Sequence, residues 1–124
     1  MELIIKKCSK CGALIQVLED CHCSDCGIKC CGEVMEKLVT NSSDEFLEKH
    51  LPTYEIEDNL VITKINHAMD KDHYIEWIAF VYDNQITVSH FKPGDNPVAS
   101  CQYTPNMKIY AYCNKHELWS CTVK

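Results

Sequence analysis

Long apolar runs are missing from this chain. The most continuous one, "WIAFVY" (77–82), falls far short of the roughly 20 residues that a membrane-crossing helix needs. The opening "MELIIKK" puts only three apolar residues before two lysines, too few for the core of a secretion signal, so a cytoplasmic protein is expected. An excess of basic charge is missing too. The formal net charge is −6 and the twelve Lys and Arg side chains are scattered, which excludes general nucleic-acid binding through a clustered basic face. An anionic substrate would have to be attracted locally. Long helical periodicity, tandem repeats and low-complexity tracts are also absent, so helix is expected to be minor. At 124 residues there is room for one ordinary core and a small appendage, and 46% apolar with 24% charged residues is the balance of a folded protein.

Cysteine and histidine are abundant, at ten and six residues. In a reducing compartment such cysteines point to metal ligation rather than to a disulfide framework. Seven of the ten lie between residues 8 and 31, whereas five of the six histidines follow residue 40. The polar stretch "LVTNSSDE" (38–45) reads as the linker, giving a piece over 1–38 and another over 39–124. The first piece is shorter than the ~40 residues at which an unaided core becomes possible, so it is expected to fold around a metal.

The second piece alternates turn signals with β-branched and aromatic runs: "NLVITKIN", "HYIEWIAFVYD", "QITVSHF", "VASCQYT", "MKIYAYC" and "LWSCTV". Asp83-Asn84 and "KPGDNP" (92–97) mark turns between them, and the spacing suggests an antiparallel sandwich. His90, Cys101, Cys121, Trp77 and Trp119 are read as packing residues of those strands, His90 as packed or half-exposed.

Cys8-x2-Cys11 is a knuckle that turns two thiolates toward one ion. A tetrahedral site needs a second pair, and spacing leaves two candidates, Cys30-Cys31 and Cys23-x2-Cys26. In the second piece His50, His67, His73, Cys113 and His116 all sit at strand edges, where the loops of a rigid sandwich converge. Four imidazoles and a thiolate exceed a tetrahedral zinc site and suit iron in square-pyramidal geometry with one face open.

The motifs E-K-H-x-P (48–52), H-x-M-x3-H-Y-I-x-W (67–77), K-P-G-D (92–95) and C-N-x-H-x-L-W (113–119) stand in an order that resembles the catalytic domain of superoxide reductases. "CSKCGALIQVLE" followed by "CCGEVMEKL" is similar to the desulforedoxin-type module of the desulfoferrodoxins. The resemblance implies an immunoglobulin-like, seven-stranded antiparallel β-sandwich behind a small four-cysteine domain, assembled as a homodimer. It implies catalytic iron held equatorially by His50, His67, His73 and His116 and axially by Cys113, and iron or zinc held by Cys8, Cys11, Cys30 and Cys31. Superoxide would be reduced to hydrogen peroxide, with electrons from a rubredoxin-like donor. Lys49 would attract the anion and help supply a proton, and Glu48 would close the sixth position in the oxidised resting state. An axial thiolate pushes electron density through iron toward the substrate, as in haem enzymes.

Two features depart from the family pattern. Ala68 stands where proline is common, and Cys21, Cys23 and Cys26 are additional, available as free thiols, a ligand swap or a second metal contact. The rival reading from another class is a zinc-binding interaction module without redox activity. Metal content and colour separate the two, since oxidised iron–thiolate is coloured and zinc is not.

Overall fold

The computed structural model describes residues 2–24, 26–41 and 50–124. Their contacts divide them into a unit of Glu2–Val39 and a unit that begins at Thr40 and ends at Lys124.

In the smaller unit, strands β1 (Ile5–Lys7), β2 (Leu14–Gln16) and β5 (Glu36–Lys37) form a sheet in the order β2-β1-β5, while β3 (Lys29–Cys30) and β4 (Glu33–Val34) make a separate hairpin. Leu3, Ile5, Val17 and Met35 are its buried aliphatic side chains besides Cys8. That is too little apolar burial to order a piece of this size unaided. Turn chemistry supplies part of the order. Cys30 pairs with Glu33, so Cys31-Gly32 is a two-residue loop, and φ values of 54° and 79° give it the primed turn that matches strand twist. Lys6, nearly buried, forms a 2.7 Å ion pair with Asp20.

The larger unit is a sandwich of two antiparallel sheets. One has the order β10-β7-β6, from β6 (Thr53–Glu57), β7 (Leu60–Lys64) and β10 (Val98–Gln102). The other has the order β12-β11-β8-β9, from β8 (Ile75–Tyr82), β9 (Gln85–His90), β11 (Lys108–Cys113) and β12 (Glu117–Thr122). Seven strands in two layers agree with the expected architecture, and the six expected runs each contain one of them. The seventh, β6, was not among them. It is an edge strand with mostly exposed residues, and its signal was the turn after it: Asp58-Asn59, with φ of 48° and 68°, closes a hairpin in which Glu57 pairs with Leu60.

The core lies between the sheets and comprises Val61, Ile65, Ile75, Ile78, Phe80, Ala99, Met107, Ile109, Ala111, Cys113 and Val123. Strands β8 and β11 are buried on both faces, since Trp77, Tyr110 and Tyr112 on the side away from that core are also buried. This explains their continuous apolar runs. His90 is exposed on edge strand β9 rather than packed, and Cys101 and Cys121 are half-buried against the core. No helix among the described residues is long and apolar enough to cross a membrane.

Ile109 is fully buried at the centre of this core. Ile109→Ala is expected to cost about 2–5 kcal/mol in the larger unit, read as a lowered denaturant midpoint with an unchanged slope.

Candidate metal centre

The hairpin β11–β12 carries the two closest-spaced donors. Cys113 pairs with Glu117, leaving Asn114, Lys115 and His116 as a three-residue loop closed by Glu117 at φ 63°. The ladder between β11 and β8 shifts register between Tyr112 and Cys113, so that Tyr112 faces Trp77 but Cys113 faces Ile75. The extra residue, Glu76, is on β8, so the bulge turns Ile75 to the same face as Ile78 and Phe80, while Cys113 reaches the core layer by ordinary alternation after Ile109 and Ala111. His67 and His73 come from the connection between β7 and β8, where Asp70 and His73 form an isolated bridge.

Four imidazoles close into a ring. His50–His67, His67–His73, His73–His116 and His116–His50 have centroid separations of 4.6, 4.6, 5.1 and 4.7 Å, and the His50–His73 separation is 6.3 Å, as a diagonal must be longer than the sides. His67 and His116 are therefore opposite corners. Cys113 Sγ is 3.4 Å from His67 Nε2 and 3.8 Å from His116 Nδ1, so the sulfur sits over the ring rather than beside one edge. His50 and Cys113 are buried, and His67, His73 and His116 are half-buried. Donor atoms of His50, His67, His73 and Cys113 all lie within 4.8 Å of one another. His116 joins them through Nδ1, 3.1 Å from His50 Nε2.

The donor set fits a cation. His67 Nδ1 is bonded to the Ala68 carbonyl at 2.5 Å, which assigns the proton to Nδ1 and leaves Nε2 bare toward His50 Nε2 at 2.9 Å. The acceptor is main chain, so alanine in place of proline at position 68 preserves it. His73 Nε2 is buried without a hydrogen-bond partner, a costly state that a metal ion relieves. Burial, then the facing His67 and His116, hold His73 below its usual pKa and thus neutral, as a ligand must be. Burial pushes the Cys113 thiol up, opposed by hydrogen bonds from the Lys115 and His116 backbone amides that stabilise a thiolate. Nitrogen and thiolate donors in this number suit iron.

Neighbouring groups hold the donors in place. Trp119 stacks on His50 at 4.9 Å and 15° and donates its indole N–H to the His116 carbonyl at 3.0 Å. Asn114 accepts from the Tyr74 amide at 2.9 Å and donates to the Asp72 carbonyl at 3.0 Å, bracketing His73. The K-P-G-D turn, closed by Lys92–Asp95 hydrogen bonds, ties itself to the same segment through the Gly94 amide, which donates to Met69 O at 2.8 Å. Sequence reasoning missed Asn114, although its place between Cys113 and His116 was the available signal. Glu48 and Lys49 lie outside the described residues.

In the smaller unit Cys8, Cys11, Cys30 and Cys31 have their sulfurs within 4.8 Å of one another, with Cys11 and Cys30 at 3.6 Å. Backbone amides of Cys11 and Lys10 lower the Cys8 pKa to about 6, while hydrogen bonding to the Cys11 and Cys8 sulfurs raises Cys30 to about 12. Four thiolates at this distance cannot coexist without a cation, and the set fits tetrahedral iron or zinc. Cys23 and Cys26 are not in that group; they are joined to each other as a disulfide. Cys21 is a free, exposed thiol, and His22 is exposed near Glu19.

The desulfoferrodoxin family model matches residues 42–122. The chain belongs to the desulfoferrodoxin family. A desulfoferrodoxin homolog of Archaeoglobus fulgidus is 36% identical over 119 residues, spanning 93% of both proteins. Desulfoferrodoxin of Syntrophotalea carbinolica is 35% identical, spanning 96% of this chain and 95% of its own. Among solved structures, the superoxide reductase of Treponema pallidum superposes with a TM-score of 0.73 at 21% identity, covering 97% of each chain. That of Giardia intestinalis, a one-iron superoxide reductase, does so with a TM-score of 0.54 at 26% identity, covering 62% of this chain and 98% of its own.

Asn114→Ala removes both bonds that bracket His73 and is expected to weaken iron binding about 10–100-fold in competition with a chelator. Asn114→Asp, which keeps the acceptor, should fall between that variant and the wild type.

Proposed function

We propose that this desulfoferrodoxin is a superoxide reductase, adding one electron and two protons to superoxide to give hydrogen peroxide. The observation that carries the reading is the imidazole ring capped by the buried Cys113 sulfur. His50, His67 and His73 through Nε2, His116 through Nδ1 and Cys113 through Sγ would hold the iron. Bound there, ferrous iron supplies the single electron.

The chain's own residues do the remainder. The Cys113 thiolate would donate electron density to the iron, and the Lys115 and His116 amides would moderate that donation. Complete burial excludes water from the sulfur. Lys49 would draw the anion toward the centre of an otherwise acidic protein and hold a proton for the product, and Glu48 would be a further ligand when substrate is absent. Cys8, Cys11, Cys30 and Cys31 hold iron or zinc and staple the smaller unit, so 1–38 serves as a desulforedoxin-like domain and 39–124 as the catalytic one. A rubredoxin-like protein re-reduces the centre, the working form is a homodimer, and the setting is cytoplasmic, where the thiol-rich cluster stays reduced.

Superoxide pulses delivered to the anaerobically reduced iron protein should oxidise the centre rapidly, seen as growth of the thiolate-to-iron visible band. Cys113→Ser should lose that fast phase while retaining the fold. An unchanged rate would remove the thiolate from the mechanism, and zinc rather than iron in the histidine site would sink the enzyme assignment.

A further inference from the structure

We propose that Cys23 and Cys26 form a second redox site, a dithiol that hydrogen peroxide oxidises reversibly to a disulfide. The inference rests on the superoxide reductase reading only for the source of the oxidant. The structure joins these two residues across a Cα–Cα distance of 5.6 Å, within the span of about 4.4–6.8 Å that a disulfide bridges. They stand apart from both donor groups found among the described residues.

Neither of the two alternatives for such a pair fits as well. As a metal site it would need two further donors, and the adjacent Cys21 and His22 are exposed and engaged with Asp20 and Glu19 instead. As a structural staple it would close a loop of only three positions, which removes little entropy from the unfolded chain. What remains is an exposed C-x-x-C pair, the arrangement in which disulfides are labile and reactive.

The loop that carries the pair is held at both ends. Before it, Asp20 is fixed by the nearly buried Lys6 at 2.7 Å. After it, Gly27 packs so closely on Val34 that an added Cβ would meet a valine methyl at 2.6 Å, and the Met35 amide donates to Ile28 O at 2.8 Å. Cys21 donates its thiol to Asp20 Oδ1 at 3.5 Å and stays unpaired in any disulfide. The partner of Cys23 is thus selected by the loop.

The chemistry balances in two steps. One thiolate attacks a peroxide oxygen, the O–O bond breaks, and the departing hydroxide takes a proton to become water while the sulfur becomes a sulfenic acid. The other thiol attacks that sulfur, the S–S bond forms, and the hydroxyl leaves as a second water. Two thiols and one peroxide give one disulfide and two waters. An external dithiol reverses the oxidation by exchange.

The test uses the full-length, metal-loaded protein, reduced with a dithiol and desalted anaerobically, then treated with hydrogen peroxide in slight excess, alkylated and mapped by mass spectrometry. The expected result is loss of alkylation at Cys23 and Cys26 together, a disulfide-linked peptide, and full recovery after dithiothreitol. Cys26→Ser should lose the disulfide and leave a dimedone-reactive sulfenic acid on Cys23 or, in Cys23→Ser, on Cys26, with the visible spectrum of the metal centres unchanged. The idea is overturned if both cysteines remain alkylatable after peroxide. It is equally overturned if the isolated protein carries an additional metal ion that Cys23→Ser releases. Since peroxide is added as a reagent, either failure leaves the superoxide reading standing. Conversely, Cys113→Ser should still form the disulfide at the wild-type rate.

Discussion

Bare donor atoms facing one another at hydrogen-bonding distance repel unless a proton or a cation lies among them, and the larger unit is organised around that constraint. His50 Nε2 stands 2.9 Å from His67 Nε2 and 3.1 Å from His116 Nδ1, so that without a cation one proton would have to serve three nitrogens. The two central strands bring this about. Being buried on both faces, β8 and β11 cannot slip without moving every side chain to the other face, so the hairpin at the end of β11 is a rigid mount. The thiol then enters from the core side and caps the ring of imidazoles.

The same economy of parts operates in the smaller unit with different materials. Its aliphatic core is slight, and order comes from turn geometry, one shielded ion pair and the gathering of sulfurs at the tips of a knuckle and a hairpin. In both units the irregular backbone that carries the donors is anchored by main-chain hydrogen bonds, such as Gly12 N–H to Cys8 O at 3.0 Å and Asn114 N–H to Tyr74 O at 3.2 Å.

Much of this could be read from the residues in order. The six runs that became β7 to β12 announced themselves by β-branched and aromatic content, and the five donors by motif. Edge strand β6 escaped because it buries almost nothing, so no apolar pattern marks it, although Asp58-Asn59 did mark its turn. Spacing left the choice between Cys30-Cys31 and Cys23-Cys26 open because both pairs suit a knuckle; the decision lies in the turn at Cys31-Gly32, a matter of backbone conformation. Asn114 was invisible for a related reason. Its work is done on the main chain of residues 72 and 74, whose proximity exists only after folding.

The donor set also has a topological consequence. His50 and His116 are 66 positions apart in the chain and their ring nitrogens are 3.1 Å apart in space. An ion shared by them is a reversible cross-link over more than half of the polypeptide, and closing so large a loop depletes the disorder available to the denatured ensemble, as a disulfide does. Unlike a disulfide, this tie is made of bonds whose strength varies with the oxidation state of what they hold. Resistance to heat and proteases would therefore follow the oxidation state of an iron held by these donors.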